Sequence, residues 1–191
     1  MPRISGVRQR RHQPFWDTLV RATGPLAAPL LPQTRLFGNA NIGNLALTNL
    51  QVAGQFAADQ TYIVLAMRCW LYFDGTNART NYTQVISQLY FTMTAGDQPQ
   101  FQAPCWYFPA GGGLYGVSNV AAVFNNGYPS QGAILKLARP IAIPVRQNIS
   151  VAADFFPVGA VNALTLLNAG AADDQKIVLF MIDGLQTRDV Q

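Results

Sequence analysis

The chain has 191 residues, half of them hydrophobic and only 12% charged, against about 25% charged in an average soluble domain. This length suits a single domain, and so few charges leave a largely neutral surface that suits burial against partner proteins. All nine acidic residues are aspartate. A chain without glutamate is poor in the residues that build long exposed helices, so the composition favours strands and turns.

The net charge of +4 is concentrated at the start of the chain, where residues 1–35 contain six Arg and one Asp. The remainder carries seven basic and eight acidic residues and is therefore nearly neutral. The Arg-rich segment is predicted to bind phosphate oxygens of nucleic acid or anionic lipid, with a solubilising segment as the alternative. The candidate residues are Arg3, Arg8, Arg10 and Arg11.

The segment after Pro14 has apolar residues at helical spacing, which predicts a helix of one or two turns. These residues are Phe15, Trp16, Leu19 and Val20. Gly24-Pro25 is expected to end the helix, and the prolines that follow favour an extended connector. We therefore expect an extended basic N-terminal arm at residues 1–38 and a β-sandwich domain at 39–191.

Residues 62–73 show the clearest strand pattern, because alternate residues are all apolar. The face assigned to the core consists of Ile63, Leu65, Met67, Cys69, Leu71 and Phe73. The opposite face consists of Tyr62, Val64, Ala66, Arg68, Trp70 and Tyr72. It is too apolar for a freely solvated sheet, so we expect it to contact another subunit or a covering loop.

A second alternating segment at 84–94 predicts another strand. Shorter strand candidates lie at 44–52, 103–108, 119–124, 133–138, 141–145, 148–156, 162–168 and 175–182. Gly, Pro, Asn and Asp separate them, and no β-α-β rhythm is present. About eight to ten short strands of this kind predict an all-β fold, as a two-sheet sandwich or barrel.

The sequence offers little for catalysis. General acid–base chemistry draws mostly on His or on Glu with a raised pKa, and the chain has one His and no Glu. That residue, His12, lies beside Arg10 and Arg11 and is interpreted as one more cationic or hydrogen-bonding group. We predict no catalytic residues and no enzyme activity. The alternative is a small enzyme whose site is shared between chains.

Metal and cofactor sites are also not predicted. Cys69 and Cys105 have apolar aromatic neighbours and no CxxC spacing, which favours buried free thiols over a disulfide or metal site. The pair Asp173-Asp174 is interpreted as a solvated turn. The glycine-rich segment 111–116 matches G-x-G-x-x-G, but no acidic residue follows at the expected distance, so we expect a flexible loop.

Aromatic residues are frequent in the segment that follows the second strand. They include Trp106, Tyr107, Phe108, Tyr115 and Tyr128. Such side chains can stack on sugars or bases, but we favour core packing and protein contacts because aromatics are enriched there. The candidate subunit contacts over the whole chain are Phe15, Trp16, Trp70, Tyr72, Trp106, Tyr107 and Tyr115.

Several segments carry a family resemblance. After the arm and its proline-rich connector come Leu47-Thr48-Asn49-Leu50, Gly54-Gln55-Phe56 and the strand at 62–73. Later come Pro140-Ile141-Ala142-Ile143-Pro144, Asn148-Ile149-Ser150-Val151, Phe155-Phe156-Pro157 and Asp183-Gly184-Leu185. Over most of residues 40–190 the chain resembles the single jelly-roll capsid and vertex proteins of tailless icosahedral viruses, particularly bacteriophages.

The resemblance implies an eight-stranded jelly roll with termini facing the interior, assembly into capsomers and no catalytic residues. The expected function is that of a structural virion protein, made in the host cytoplasm, whose partners are copies of itself and other virion proteins. The arm would reach genome nucleic acid, an internal membrane or a neighbouring subunit. The alternative is a phage receptor-binding or carbohydrate-binding β-sandwich that uses its aromatic loops.

Overall fold

The computed structural model describes residues 8–21, 33–38, 44–56, 60–74, 78–111, 115–117, 123–125, 127, 133–155 and 176–189. The strands are β1 (Arg8–His12), β2 (Phe15–Arg21), β3 (Gln33–Leu36), β4 (Gln60–Phe73), β5 (Leu89–Ala95), β6 (Gln98–Pro104), β7 (Tyr115–Val117), β8 (Val123–Asn125), β9 (Leu135–Ile143), β10 (Ile149–Phe155) and β11 (Lys176–Asp189). One helix, α1 (Ala78–Gln88), precedes β5, and a 3₁₀ helix, Cys105–Tyr107, follows β6. The predicted all-β sandwich is confirmed.

Eight of the strands pair in the order of a jelly roll. β2 pairs with β11, β3 with β10, β4 with β9 and β5 with β6, always antiparallel. The β11–β4 and β10–β5 ladders join these pairs into two facing sheets. The chain is thus a long hairpin rolled over itself, which is the jelly-roll arrangement. β1 also pairs with β11, and β8 joins β4 to β7.

The core lies between the two sheets and is built mainly from aromatic and branched side chains. Phe91 on β5 and Phe180 on β11 contact each other across the core, with ring centroids 4.7 Å apart. Phe108, which follows the 3₁₀ helix, packs against both rings at 5.8 and 5.3 Å. Edge-to-face and tilted pairs of this kind stabilise a core beyond their buried area.

A bulge changes which side of β4 faces the core. Its register with β9 shifts between Val64 and Ala66, and a bulge moves the residues on its two sides to different faces. Met67, Cys69, Leu71 and Phe73 are buried as predicted. Before the bulge the prediction is wrong, because Tyr62 and Val64 are buried while Leu65 is exposed.

The helix predicted after Pro14 is wrong. Phe15–Arg21 is strand β2, hydrogen-bonded to β11 from Phe15 opposite Ile182 to Arg21 opposite Lys176. Its alternation places Phe15 and Asp17 inward, where both are buried. Pairing along a full-length neighbour outweighs a local helical spacing. The described part of the predicted arm therefore belongs to the sheets, since β1, β2 and β3 all lie before residue 39.

The strand predicted at 84–94 begins too early. Residues up to Gln88 belong to α1, and only Leu89–Ala95 is a strand. Ala78, Tyr82 and Val85 are buried, and their spacing of four and three residues is the helical period. The alternation read through Val85 and Ser87 extended the pattern of β5 backward into this helix.

Several shorter predictions differ from the structure. Residues 44–52 form a turn and an isolated bridge, Val52 opposite Gln55, rather than a strand. Residues 103–108 divide between the end of β6 and the 3₁₀ helix, while 133–138 and 141–145 belong to the single strand β9. β8, β10 and β11 overlap the other predicted strands. The strand predicted at 162–168 and the pair Asp173-Asp174 lie outside the described residues.

Among the described residues no helix is both long and apolar enough to cross a bilayer, since α1 comprises 11 residues.

Candidate assembly surface

The outer face of the seven-stranded sheet carries an apolar stripe across β2, β11 and β4. Directly opposed residues on adjacent strands lie on the same face. Trp16 on β2 is opposite Met181 on β11, and Leu179 on β11 is opposite Trp70 on β4. We call Trp16, Trp70, Tyr72, Leu179 and Met181 the outer stripe, and all five are half-buried.

A groove of about 390 Å³ runs along this stripe. It is lined by Arg68, Trp70, Ala110, Asn125, Gly127, Leu179 and Met181. The Trp70 and Tyr72 rings stack with centroids 5.7 Å apart and planes inclined at 28°, so Trp70, which lines the groove, is supported by a neighbouring ring. Among the described lining residues most side chains are apolar, and Arg68 and Asn125 carry the polar ones.

Three polar side chains contact one another across the sheet beside the stripe. The Arg68 Nη2 donates to Asp183 Oδ2 at 2.5 Å, and His12 Nε2 contacts the other carboxylate oxygen. This row joins β4, β11 and β1 through side chains. The Asp183 side chain is only 11% exposed, so the pair is better shielded from water than a surface salt bridge. Among the described residues, Arg68 Nε is buried without a hydrogen-bond partner.

The candidate arginines lie on β1 as far as they are described. Arg10 and Arg11 are both exposed. Arg11 Nε donates to Gln186 Oε1 at 2.5 Å, and Gln186 Nε2 in turn donates to Gln60 Oε1. The backbone of Arg8 pairs with Asp189, and Arg3 lies outside the described residues.

A polar pocket of about 200 Å³ opens near Arg11. Its walls are mainly amide side chains, with Phe15 and Phe56 as the aromatic contribution. The lining residues are Arg11, Gln13, Phe15, Asn49, Leu50, Gln51, Val52, Gln55, Phe56, Gln60 and Gln186. Amides both donate and accept hydrogen bonds, so this lining suits a neutral ligand rich in hydroxyl groups.

The loop aromatics divide into core and surface. Trp106 and Tyr107 on the 3₁₀ helix are 61% and 43% exposed, whereas Phe108 is buried. Tyr115 lies on β7, with only its backbone described, and Tyr128 lies outside the described residues. Trp106 and Tyr107 are therefore exposed, and their role as subunit contacts stays a prediction.

Phe15 is wrong as a subunit contact. It is buried, with its ring centroid 4.6 Å from that of Phe56 and 5.1 Å from that of Tyr62. Its neighbour Trp16 points to the opposite face by strand alternation. One residue of the predicted pair is thus core and the other is surface.

No family model matches this sequence, and no curated protein is similar enough to count as a match. What the surface can do therefore follows from its residues and their geometry. Leu179, Met181 and Asp183 were missed as site residues. The signal for them is the unbroken apolar run from Ile177 to Ile182, because a strand that is apolar on both faces is covered on both faces.

Cys69 and Cys105 are buried free thiols, as predicted. Burial raises the pKa of the Cys69 thiol, and its hydrogen bond with Cys105 raises it further. Among the residues that the structure describes, no three His, Cys, Asp or Glu side chains are grouped to hold a metal ion.

Proposed function

We propose that this chain is a structural protein of an icosahedral virion shell, which packs side by side with copies of itself through the outer stripe. The stripe is the observation that carries the proposal. Trp and Tyr are enriched in protein interfaces because they bury large apolar areas at low cost in side-chain entropy. A sheet face that combines Trp16, Trp70 and Tyr72 with aliphatic neighbours resembles an interface core.

The distribution of charge supports a second copy as the partner. Outside residues 1–35 the chain carries seven basic and eight acidic residues, so two copies approach without strong net repulsion. The charge of Arg68 beside the stripe is paired with Asp183 within the chain. Contact between copies therefore does not bury an uncompensated charge there.

The exposed arginines of β1 suit an anionic partner inside the shell. Guanidinium groups bind phosphate oxygens through paired hydrogen bonds, and Arg10 and Arg11 are adjacent and exposed. If they bind the genome, replacing Arg10 by Gln lowers the slope of log affinity against log salt by about 1. Binding of short duplex DNA or RNA and of anionic vesicles, measured between low and high salt, separates nucleic acid from lipid.

Assembly is tested with the double variant Trp70→Ala, Met181→Ala. These changes remove two side chains of the stripe that also line the groove, one on β4 and one on β11. We expect the wild type to form closed rings or shells, and the variant to associate about 100-fold more weakly, since each such truncation costs about 1–2 kcal/mol at an interface. Sedimentation velocity and negative-stain electron microscopy give the readouts.

The matched control is Val145→Ser, which changes an exposed apolar residue between β9 and β10 and is expected to assemble normally. Circular dichroism verifies that each variant is folded. A wild-type chain that stays monomeric at high concentration, alone and with its native neighbours, contradicts the proposal. So does a folded double variant that assembles like the wild type.

The second candidate function is carbohydrate binding, which the amide-lined pocket favours. Planar amides and an arginine beside aromatic rings can satisfy the hydroxyl groups of a sugar. A glycan array probed with the isolated chain tests this function. Binding that Gln51→Ala weakens assigns it to the pocket, whereas binding that Trp106→Ala weakens assigns it to the exposed aromatic turn. Tight binding by a chain that never forms particles favours this candidate over assembly.

A further inference from the structure

One cysteine lies on a strand of one sheet, the other follows a strand of the second sheet, and the two meet in the core. Cys69 lies on β4 of the seven-stranded sheet, and Cys105 begins the 3₁₀ helix directly after β6 of the four-stranded sheet. Their sulfur atoms are 3.5 Å apart, with the Cys105 thiol donating to Cys69. A disulfide requires a separation near 2.05 Å, so a small side-chain rotation or backbone adjustment is needed.

The backbone around the pair is fixed by hydrogen bonds. The Cys69 N–H donates to the Phe108 carbonyl at 2.9 Å, and the Phe108 N–H donates to the Cys105 carbonyl at 3.0 Å. The backbones of the two cysteines are thus connected through hydrogen bonds to the backbone of one residue, Phe108. This arrangement holds the sulfur atoms near each other without a covalent bond.

A small oxidant has a route to the thiols. A groove of about 270 Å³ is lined by both cysteines together with Leu71, Tyr82 and Trp106 among others. A molecule of the size of water needs roughly 10–15 Å³ of such space, so hydrogen peroxide fits easily. The two cysteine side chains are almost fully buried, so reagents bulkier than hydrogen peroxide reach the sulfur atoms poorly.

We propose that Cys69 and Cys105 are an oxidative modification site, at which a peroxide closes an internal disulfide between the two sheets. One thiol loses its proton as its sulfur attacks a peroxide oxygen, the O–O bond breaks, and a sulfenic acid and one water form. The second thiol then attacks the sulfenic sulfur, the S–S bond forms and water leaves. Two thiols lose two electrons and two protons, and one hydrogen peroxide becomes two waters.

The closed form is expected to be more stable than the dithiol form. The bond would enclose a segment whose ends are 36 positions apart, and a loop of that length restricts the unfolded chain considerably. We expect the Tm to rise by about 5–15 °C on oxidation. The bond would also anchor the exposed aromatic turn at Trp106 to β4.

The test uses the full chain, reduced and then treated with hydrogen peroxide under native conditions. Intact mass should fall by two hydrogens, peptide mapping should link the peptides of Cys69 and Cys105, and the Tm should rise and return after reduction. Addition of oxygen atoms without a linked peptide, or no change in mass, overturns the proposal. A linked chain whose Tm falls overturns the claim that native geometry accommodates the bond.

The matched controls are Cys69→Ser and Cys105→Ser. Each should show only oxygen addition at the remaining thiol and no increase in Tm. If either variant does not fold, the wild-type mass and Tm still decide the outcome. The site is independent of assembly, so a chain that forms no particles but closes the bond supports this inference while the proposed function fails.

Discussion

Gly184 lies where β11 passes the bulged part of β4, and its missing side chain permits the close approach. A Cβ atom there would lie 2.0 Å from the Ile63 carbonyl oxygen and 2.9 Å from its carbonyl carbon. Both are backbone atoms held in the sheet, so neither can move aside without breaking the β4–β11 ladder. The glycine is therefore required by packing against a strand.

Gly184→Ala is expected to lower the free energy of unfolding by about 2–4 kcal/mol, because the ladder must shift to admit a methyl group. Urea unfolding followed by circular dichroism measures the loss. Gly38→Ala is the matched control, since a Cβ there meets its nearest atom at 3.7 Å, and it should change stability by under about 0.5 kcal/mol. Equal effects in the two variants would contradict this reading.

Tyr62, near the same end of β4, makes the stability of the fold depend on pH. Burial raises the pKa of its phenol above the usual 10.0, and the charge of Asp183 raises it further. The hydroxyl donates to the Gln13 carbonyl at 2.5 Å. Since the folded pKa exceeds the unfolded one, this contribution to stability is complete below pH 10 and falls as pH rises beyond it.

Tyr62→Phe removes that titration along with the hydrogen bond. We expect the variant to be less stable than the wild type by about 1 kcal/mol at pH 7. Above pH 10 the wild type should lose about 1.4 kcal/mol per pH unit relative to the variant, so the difference shrinks and then reverses. Urea unfolding at pH 7 and 11 gives the comparison, and parallel pH profiles would exclude the assigned role.

At the scale of the element, two adjacent residues of β2 have different roles: Phe15 packs in the core and Trp16 lies on the outer face. Phe15→Ala should cost about 3–5 kcal/mol of unfolding free energy, because the ring contacts Phe56 and Tyr62 in the core. Trp16→Ala should leave the fold stable within about 1 kcal/mol but weaken self-association. Thermal unfolding measures the change in stability of both variants, and sedimentation measures their self-association. The opposite result would mean that Trp16 faces the core and Phe15 the surface.

An element could be predicted well where its own apolar periodicity fixed its structure, and poorly where neighbouring strands did. The strand at 62–73 was found because one of its faces is entirely apolar and the other is apolar except for Arg68. Its bulge was not foreseeable, because the register shift appears only in its pairing with β9 and β11. In the short segments 15–20 and 84–88 the apolar residues fit both the helical and the strand period. Pairing with a neighbouring strand made the first a strand, and packing against the core made the second part of a helix.

The candidate site was only partly predictable for the same reason. Trp70 and Tyr72 were identified from surplus apolar residues on a strand face, whereas Trp16 was identified in a segment predicted to be a helix. Met181 and Leu179 complete the stripe only once β11 is placed between β2 and β4. The contact of Asp183 with Arg68 spans 115 positions, and such a separation cannot be derived from spacing along one chain.

At the scale of the whole molecule, β11 is the central strand of the larger sheet. It pairs with β1 and β2 on one side and with β4 on the other. A chain that stops after residue 175 should therefore lack cooperative unfolding and be cleaved rapidly by protease, because β2 and β4 lose their shared partner. A chain that stops after Asp189 retains the strand and should fold. A folded product from the shorter chain would contradict this architecture.

The position of β11 also sets a time order during synthesis. Leu179 and Met181 are translated after every other described strand, so a nascent chain that has not reached them has an incomplete outer stripe. Under the proposed assembly through the outer stripe, chains on neighbouring ribosomes of one messenger would lack two of its five residues until β11 is made. Association would then be favoured only among completed copies, which would limit premature contacts where the local concentration of chains is highest.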